Sequence, residues 1–207
     1  MEKPSQSPLE TYSSDFKQDV ERIGMEKLLE GSHVKGGFED WELGRRFLAK
    51  SIDRDGRILD IGCANGFLLR CFQEWSGKKL EPYGIDVNEN MIKQARELFP
   101  DKQNHFSLNE EAKKQMETGE FPKEFDLVFW NVWDDLDFAS DKGRNMLEAT
   151  LAITSVGGRA ILGFYDKKEK DILMKIDQLA ALGHDVRNLK WSPTREEAAL
   201  NIDKADK

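Results

Sequence analysis

Two carboxylates and the small-residue loop between them could do chemistry together. Arg57-Ile58-Leu59-Asp60 runs apolar residues into an acid, and Ile61-Gly62-Cys63-Ala64-Asn65-Gly66 follows as a loop. Tyr83-Gly84-Ile85-Asp86 then repeats the apolar-to-acid pattern. Glycines at 62 and 66 let the backbone turn sharply and come close to a ligand. A helix opened by such a loop presents unpaired N–H groups to an anion. Asp86, ending the second apolar run, is placed to accept hydrogen bonds from both hydroxyls of a ribose. The pattern predicts a nucleoside-binding crevice at the carboxyl edge of a parallel sheet.

The spacing narrows the nucleoside. A pyrophosphate-binding loop takes the form Gly-x-Gly-x-x-Gly. Here the glycines stand as Gly62-x-x-x-Gly66, Ala64 holds the middle position, and Asp60 precedes the loop. An acid there repels a pyrophosphate and suits a ligand carrying a cation, such as an amino-acid ammonium. The loop therefore favours S-adenosylmethionine over a nicotinamide dinucleotide.

A second candidate region is Trp130-Asn131-Val132-Trp133-Asp134-Asp135-Leu136-Asp137-Phe138. Carboxylates interleaved with tryptophans suit an amine or other cation through ion pairing and ring-face attraction. Asp134 or Asp135 could also accept a proton from an acceptor. The same aspartates would equally cap and favour a following helix while the tryptophans pack. His33, ahead of Gly36-Gly37, is a third candidate: a histidine can act as a base near neutral pH, or it can sit in a solvated loop. His105 and His184 lie too far along the chain to give metal-ligand spacing with it or with the cysteines, so no metal site is expected.

The elements that must position these residues follow from periodicity. Phe16, Val20, Ile23, Leu28 and Leu29 recur at helical spacing, and after the glycines at 31, 36 and 37 the pattern resumes with Trp41, Phe47 and Leu48. These predict two or three helices over the mouth of a sheet. From Arg57 strands and helices alternate. Strands are expected at 57–61, 83–87, 105–108, 125–131 and 159–165, and helices at 67–75, 89–99, 110–117, 143–154 and 168–182. The last helix is read with Ile172, Leu173, Ile176, Leu179 and Ala180 inward. Two closing strands, 186–191 and 198–202, flank a turn at Ser192-Pro193. Such alternation with continuous apolar strands predicts an α/β fold whose parallel sheet is covered on both faces.

The chain has 207 residues, enough for one domain with a sizeable core. A formal charge of −8 repels phosphate backbones at long range and counts against a nucleic-acid substrate. No apolar run approaches the length of a membrane span, and the polar residues 1–10 lack the apolar core of an export signal. Cys63 in the loop and Cys71 in the following helix are read as free thiols. Together these features predict a cytoplasmic protein. The expected organisation is a flexible N-terminus at 1–10, a helical cap at 11–52, a core at 53–203 and a tail at 204–207.

Asp60-Ile61-Gly62-Cys63-Ala64-Asn65-Gly66 resembles motif I of the class I, Rossmann-like S-adenosylmethionine-dependent methyltransferases. Gly84-Ile85-Asp86-Val87-Asn88-Glu89-Asn90-Met91 is similar to that family's second motif. Phe125-Asp126-Leu127-Val128-Phe129-Trp130-Asn131 is similar to its fourth strand, and Gly157-Gly158-Arg159-Ala160-Ile161-Leu162 to the turn and strand that follow. The resemblance runs from about Gly56 to Ile202. It implies a doubly wound, mostly parallel seven-stranded sheet with helices on both faces, an antiparallel last strand and the helical N-terminal cap. It implies that Asp60, Gly62 and Gly66 hold the methionine part of S-adenosylmethionine, with backbone groups of Cys63 and Ala64. By the same likeness Asp86 binds the ribose, Val87 and Met91 line the adenine, Asn109 or Glu110 meets the adenine amine, and Asn131 sits beside the sulfonium. The chain departs from the family at Ala64, which replaces the commonest middle glycine. After Asn131 it also lacks the Pro-Pro-aromatic sequence of many amino-group methylases of nucleic acids and proteins. The expected function is methyl transfer to a small molecule. An RNA or protein side chain as acceptor, or a binding module without turnover, are the alternatives. The sequence leaves the oligomeric state open.

Overall fold

Successive strand residues send side chains to opposite faces of a sheet, and here both sets are apolar. In the computed structural model, which describes residues 9–32, 36–166 and 168–205, Ile58, Leu127, Phe129, Ile161 and Ala199 enter one hydrophobic cluster. Their neighbours Leu59, Val128, Trp130, Leu162 and Leu200 enter a second cluster. A strand apolar on both sides must be covered on both sides.

The strands are β1 (Gly56–Ile61), β2 (Leu80–Asp86), β3 (Phe106–Leu108), β4 (Phe125–Val132), β5 (Thr154–Phe164), β6 (Lys190–Trp191) and β7 (Ala198–Asp203). They form one seven-stranded sheet in the order β3-β2-β1-β4-β5-β7-β6. Pairings among β1 to β5 are parallel, and β7 runs antiparallel to β5 and β6. The sheet expected from the sequence is therefore present, antiparallel last strand included.

Helices α1 (Ser14–Ile23), α2 (Met25–Gly31) and α3 (Phe38–Arg45) precede the sheet, followed by a 3-10 turn at Arg46–Ser51. The connecting helices are α4 (Phe67–Trp75), α5 (Glu89–Leu98), α6 (Asn109–Thr118), α7 (Asp141–Ala152) and α8 (Glu169–Ala181). Ser13 caps α1, its Oγ accepting the Phe16 N–H at 3.1 Å. Phe16, Val20, Leu28, Leu29 and Phe38 share the first cluster with Phe67, Leu69 and Phe72 of α4. Burial of one phenylalanine side chain contributes about 2–3 kcal/mol, so the N-terminal helices are held chiefly by this shared apolar surface.

Two polar anchors fix their position. Buried Asn65, in the loop after β1, donates from Nδ2 to the Leu28 carbonyl at 2.9 Å. Its Oδ1 accepts from Ser32 Oγ at 2.9 Å and from the Phe67 N–H at 3.2 Å. A side chain at Gly31 would collide with this amide, which explains the glycine there. Arg70 on α4 pairs with Asp19 on α1 and with Glu74, each at 2.8 Å.

Three local expectations are corrected. Thr154, expected at the end of α7, opens β5 and pairs in register with Phe125, the ladder shifting between Phe125 and Leu127. The expected strand from Val186 shrinks to Lys190–Trp191. Before it Asn188 replaces the ladder with its side chain, donating to the Asn201 carbonyl at 2.9 Å and accepting the Asn201 N–H at 3.0 Å. On α8, Leu173 and Ala180 face out rather than in, and the inward stripe is Ile172, Lys175, Ile176 and Leu179.

Candidate functional site

Strand order reverses between β1 and β4, and ligands of open α/β sheets bind beyond the carboxyl ends of the strands at such a point. There the chain turns on positive φ values: Gly62 at +80°, Ala64 at +49° and Gly66 at +74°. A Cβ on Gly66 would come within 3.1 Å of the Phe99 ring, so space as well as dihedral demands glycine there. Ala64 keeps the left-handed conformation without being glycine, at a cost of about 1 kcal/mol. The loop is pinned to β2, since the Gly62 and Cys63 N–H groups donate to the Ile85 carbonyl at 2.8 and 3.0 Å.

Asp86, at the end of β2, accepts from the Ala64 N–H at 2.9 Å through Oδ2 and from the Asn88 N–H at 2.8 Å through Oδ1. Each carboxylate oxygen retains acceptor capacity beyond one such bond. Asp60 differs: it is 2% exposed, and its Oδ1 has no hydrogen-bond partner among the described residues. Burial lifts its pKa to about 8, the charge of Asp86 adds to the rise, and Arg45 opposes it. Burial likewise pushes the Cys63 thiol up, and Cys63 and Cys71 are free.

A cavity of about 490 Å³ opens on this loop. Gly62, Cys63, Ala64 and Asp60 line one side with Asn131, whose buried Oδ1 also lacks a partner among the described residues. Helices over the mouth of the sheet were expected, but the residues that line the rest of the cavity were not singled out in the sequence. The opposite side is built by Asp40, Trp41 and Arg45 of α3, by Tyr165 just past β5, and by Glu196 and Glu197 just ahead of β7. Arg45 Nε stands 3.0 Å from Glu197 Oε1, an ion pair by distance, although that N–H is not directed along it and makes no hydrogen bond. The Arg45 guanidinium also lies 4.8 Å over the Tyr165 ring. Burial raises Glu197 to about 7 against the pull of Arg45. Because β7 is antiparallel, its start meets the end of β5, with Phe164 opposite Ala198. That direction was readable and would have brought Glu196 and Glu197 to the rim; nothing in the sequence marked Arg45.

The other candidates fall elsewhere. Asp134 and Asp135 are exposed and do not line the cavity. Their segment is fixed from beneath by buried Lys175, whose Nζ donates to Asp166 Oδ1 at 2.6 Å and to the Trp133 and Asp134 carbonyls at 2.8 and 3.2 Å. Val87 is 80% exposed and Met91 half-buried, beside the Asp86 carboxylate in sequence, and Asn109 and Glu110 are exposed at the start of α6. His33 lies outside the described residues.

Known proteins place this geometry. A Mg-protoporphyrin IX methyltransferase from Synechocystis, solved with S-adenosylmethionine, matches with TM-score 0.57 at 17% identity, over 93% of this chain and 98% of that one. A ribosomal protein L11 methylase from Lactobacillus delbrueckii matches with TM-score 0.54 at 13% identity, over 83% and 81%. A longer Streptococcus mutans chain with a methyltransferase fold matches with TM-score 0.56 at 12% identity, over 81% of this chain and 49% of its own length. At such identities these likenesses speak for the fold. No curated protein matches the chain in sequence. The fold is that of the class I S-adenosylmethionine-dependent methyltransferases. The chain belongs to a methyltransferase-domain family, whose model matches residues 52–191.

The residues present fit that donor. Asp60 offers a desolvated, unpartnered oxygen for an ammonium, and the turn at Gly62 is open, with only Trp133 Nε1, at 4.0 Å, near a Cβ built there. When bound, S-adenosylmethionine supplies an electrophilic methyl carbon on a sulfonium.

Proposed function

We propose that this methyltransferase acts on a small-molecule acceptor. The observation that carries the reading is the wall that α3 and the turn before β7 raise over the cavity: its whole volume is about 490 Å³, donor cradle included, so what remains beside a bound donor suits a small acceptor. A charge of −8 argues in the same direction, against an RNA backbone.

In this reading Asp60 takes the ammonium of the donor, the Gly62–Gly66 backbone lies along its methionine part, and Asp86 takes the ribose. Val87 and Met91 flank the adenine, and Asn109 or Glu110 meets its amine. Asn131 reaches the reacting end of the cavity. Methyl transfer asks the protein chiefly to align the acceptor and exclude water. Trp41, Arg45 and Tyr165 do both as the lid and far wall. Proton removal from the acceptor falls to Glu197 rather than to Asp134 or Asp135, since Glu197 lines the cavity and its raised pKa suits a base near neutral pH.

The test offers the full chain an isotope-labelled methyl donor with the small-molecule, RNA and protein fractions of a cell extract. Label is expected in the small-molecule fraction. Label in RNA or protein overturns the acceptor class, and donor binding with no label anywhere favours a binding module.

A further inference from the structure

The two walls of the cavity have different standing in the sequence. The donor side lies within the family-matched residues 52–191, whereas Asp40, Trp41 and Arg45 precede that span and Glu196 and Glu197 follow it. What distinguishes this chain's acceptor is therefore to be sought on those flanks.

Their chemistry is one-sided. The charged residues lining the cavity are Asp40, Asp60, Glu196, Glu197 and Arg45. Asp60 is committed to the donor ammonium in the reading above. Arg45 is the single cation among the described lining residues, and it is matched by Glu197 at 3.0 Å. Asp40 and Glu196, both exposed, leave the mouth net negative. Inside, the buried Oδ1 of Asn131, unpartnered among the described residues, is a hydrogen-bond acceptor that calls for a donating ligand.

The aromatic residues add to this. Trp41 lines the cavity with its ring stacked on Phe67 at 5.1 Å and 13°. Tyr165 lines it with its ring already beneath one cation, Arg45. Aromatic faces attract cations, while a carboxylate or phosphate entering here would meet Asp40 and Glu196 at the mouth and find Arg45 already paired with Glu197.

We propose that the methyl acceptor is a small organic amine, drawn in as its ammonium by the Asp40–Glu196 mouth, with Trp41 and Tyr165 bounding its carbon frame; it gives up one proton to Glu197, and the freed nitrogen lone pair takes the methyl as S-adenosylhomocysteine leaves. This assignment rests on the methyltransferase reading of the same cavity.

Calorimetry on the full chain tests it with three probes of one shape: phenethylamine, the neutral 2-phenylethanol and the anionic 3-phenylpropionate. Each is titrated with and without S-adenosylhomocysteine. The amine is expected to bind at least about tenfold tighter than either isostere. The exposed pair Asp40→Asn with Glu196→Gln should weaken the amine roughly three- to tenfold and leave S-adenosylhomocysteine affinity unchanged. Equal affinities, preference for the acid, no amine binding at millimolar concentration, or an amine affinity indifferent to the double substitution would each overturn the proposal. Failure of S-adenosylhomocysteine to bind while the amine still binds selectively would instead overturn the donor reading.

Discussion

The Asp60 carboxylate is held where burial works against its charge, and its pKa of about 8 gives the site a pH dependence of definite sign. A folded-state pKa above the unfolded value means that the folded protein favours the protonated acid. Its contribution to stability is full below about pH 4 and is lost as pH rises toward 8. Relative to the native chain, Asp60→Asn should gain stability over that window at up to about 1.4 kcal/mol per pH unit, read by denaturant unfolding at several pH values. Binding of an ammonium requires the ionised acid, so S-adenosylhomocysteine affinity of the native chain should rise up to about tenfold per unit between pH 6 and 8. A flat profile by calorimetry would remove Asp60 from that role. At this scale the placing of Asp60, Gly62 and Ala64 on the cavity was legible, because an acid before a glycine loop has few other uses. Arg45 and Tyr165 were not, because an arginine ending a helix and a tyrosine ending a strand each have ordinary roles.

Among the elements, α8 shows most directly how packing and site are joined. Lys175 is 1% exposed and Asp166 is 6% exposed, and their 2.6 Å ion pair also grips the two carbonyls after β4. Removing one partner of such a pair strands a buried charge, so Lys175→Met should cost about 3–5 kcal/mol. Adding Asp166→Leu should restore much of it, and denaturant melts of both variants would decide. The residue was open to discovery in the sequence, since it falls on the Ile172–Ile176–Leu179 stripe. The expected inward set of Ile172, Leu173, Ile176, Leu179 and Ala180 left it out. Strands β1, β4 and β5 were legible because both faces are apolar. The segment before β6 misled because Val186 and Leu189 look like a strand, while the Asn188 side chain makes the hydrogen bonds a strand would have made.

Across the whole molecule, the N-terminal helices and the sheet do not have separate cores. Phe16 and Phe38 pack with Phe67, which stacks on Trp41. Melting should therefore be a single cooperative step, with near-ultraviolet and far-ultraviolet circular dichroism changing together. An early loss of the aromatic signal would mean that the helices peel away first. Among the described residues no helix is long and apolar enough to cross a membrane.

The antiparallel course of β7 has a consequence in time. The turn carrying Glu196 and Glu197 is translated after every other residue of the cavity, yet it walls the space that α3 begins. A nascent chain that has emerged only through β5 would possess the donor cradle and α3 but not Glu196 and Glu197. Topology would then leave the half-made site open to water and without Glu197, the proposed proton acceptor, until the final strand is threaded into place.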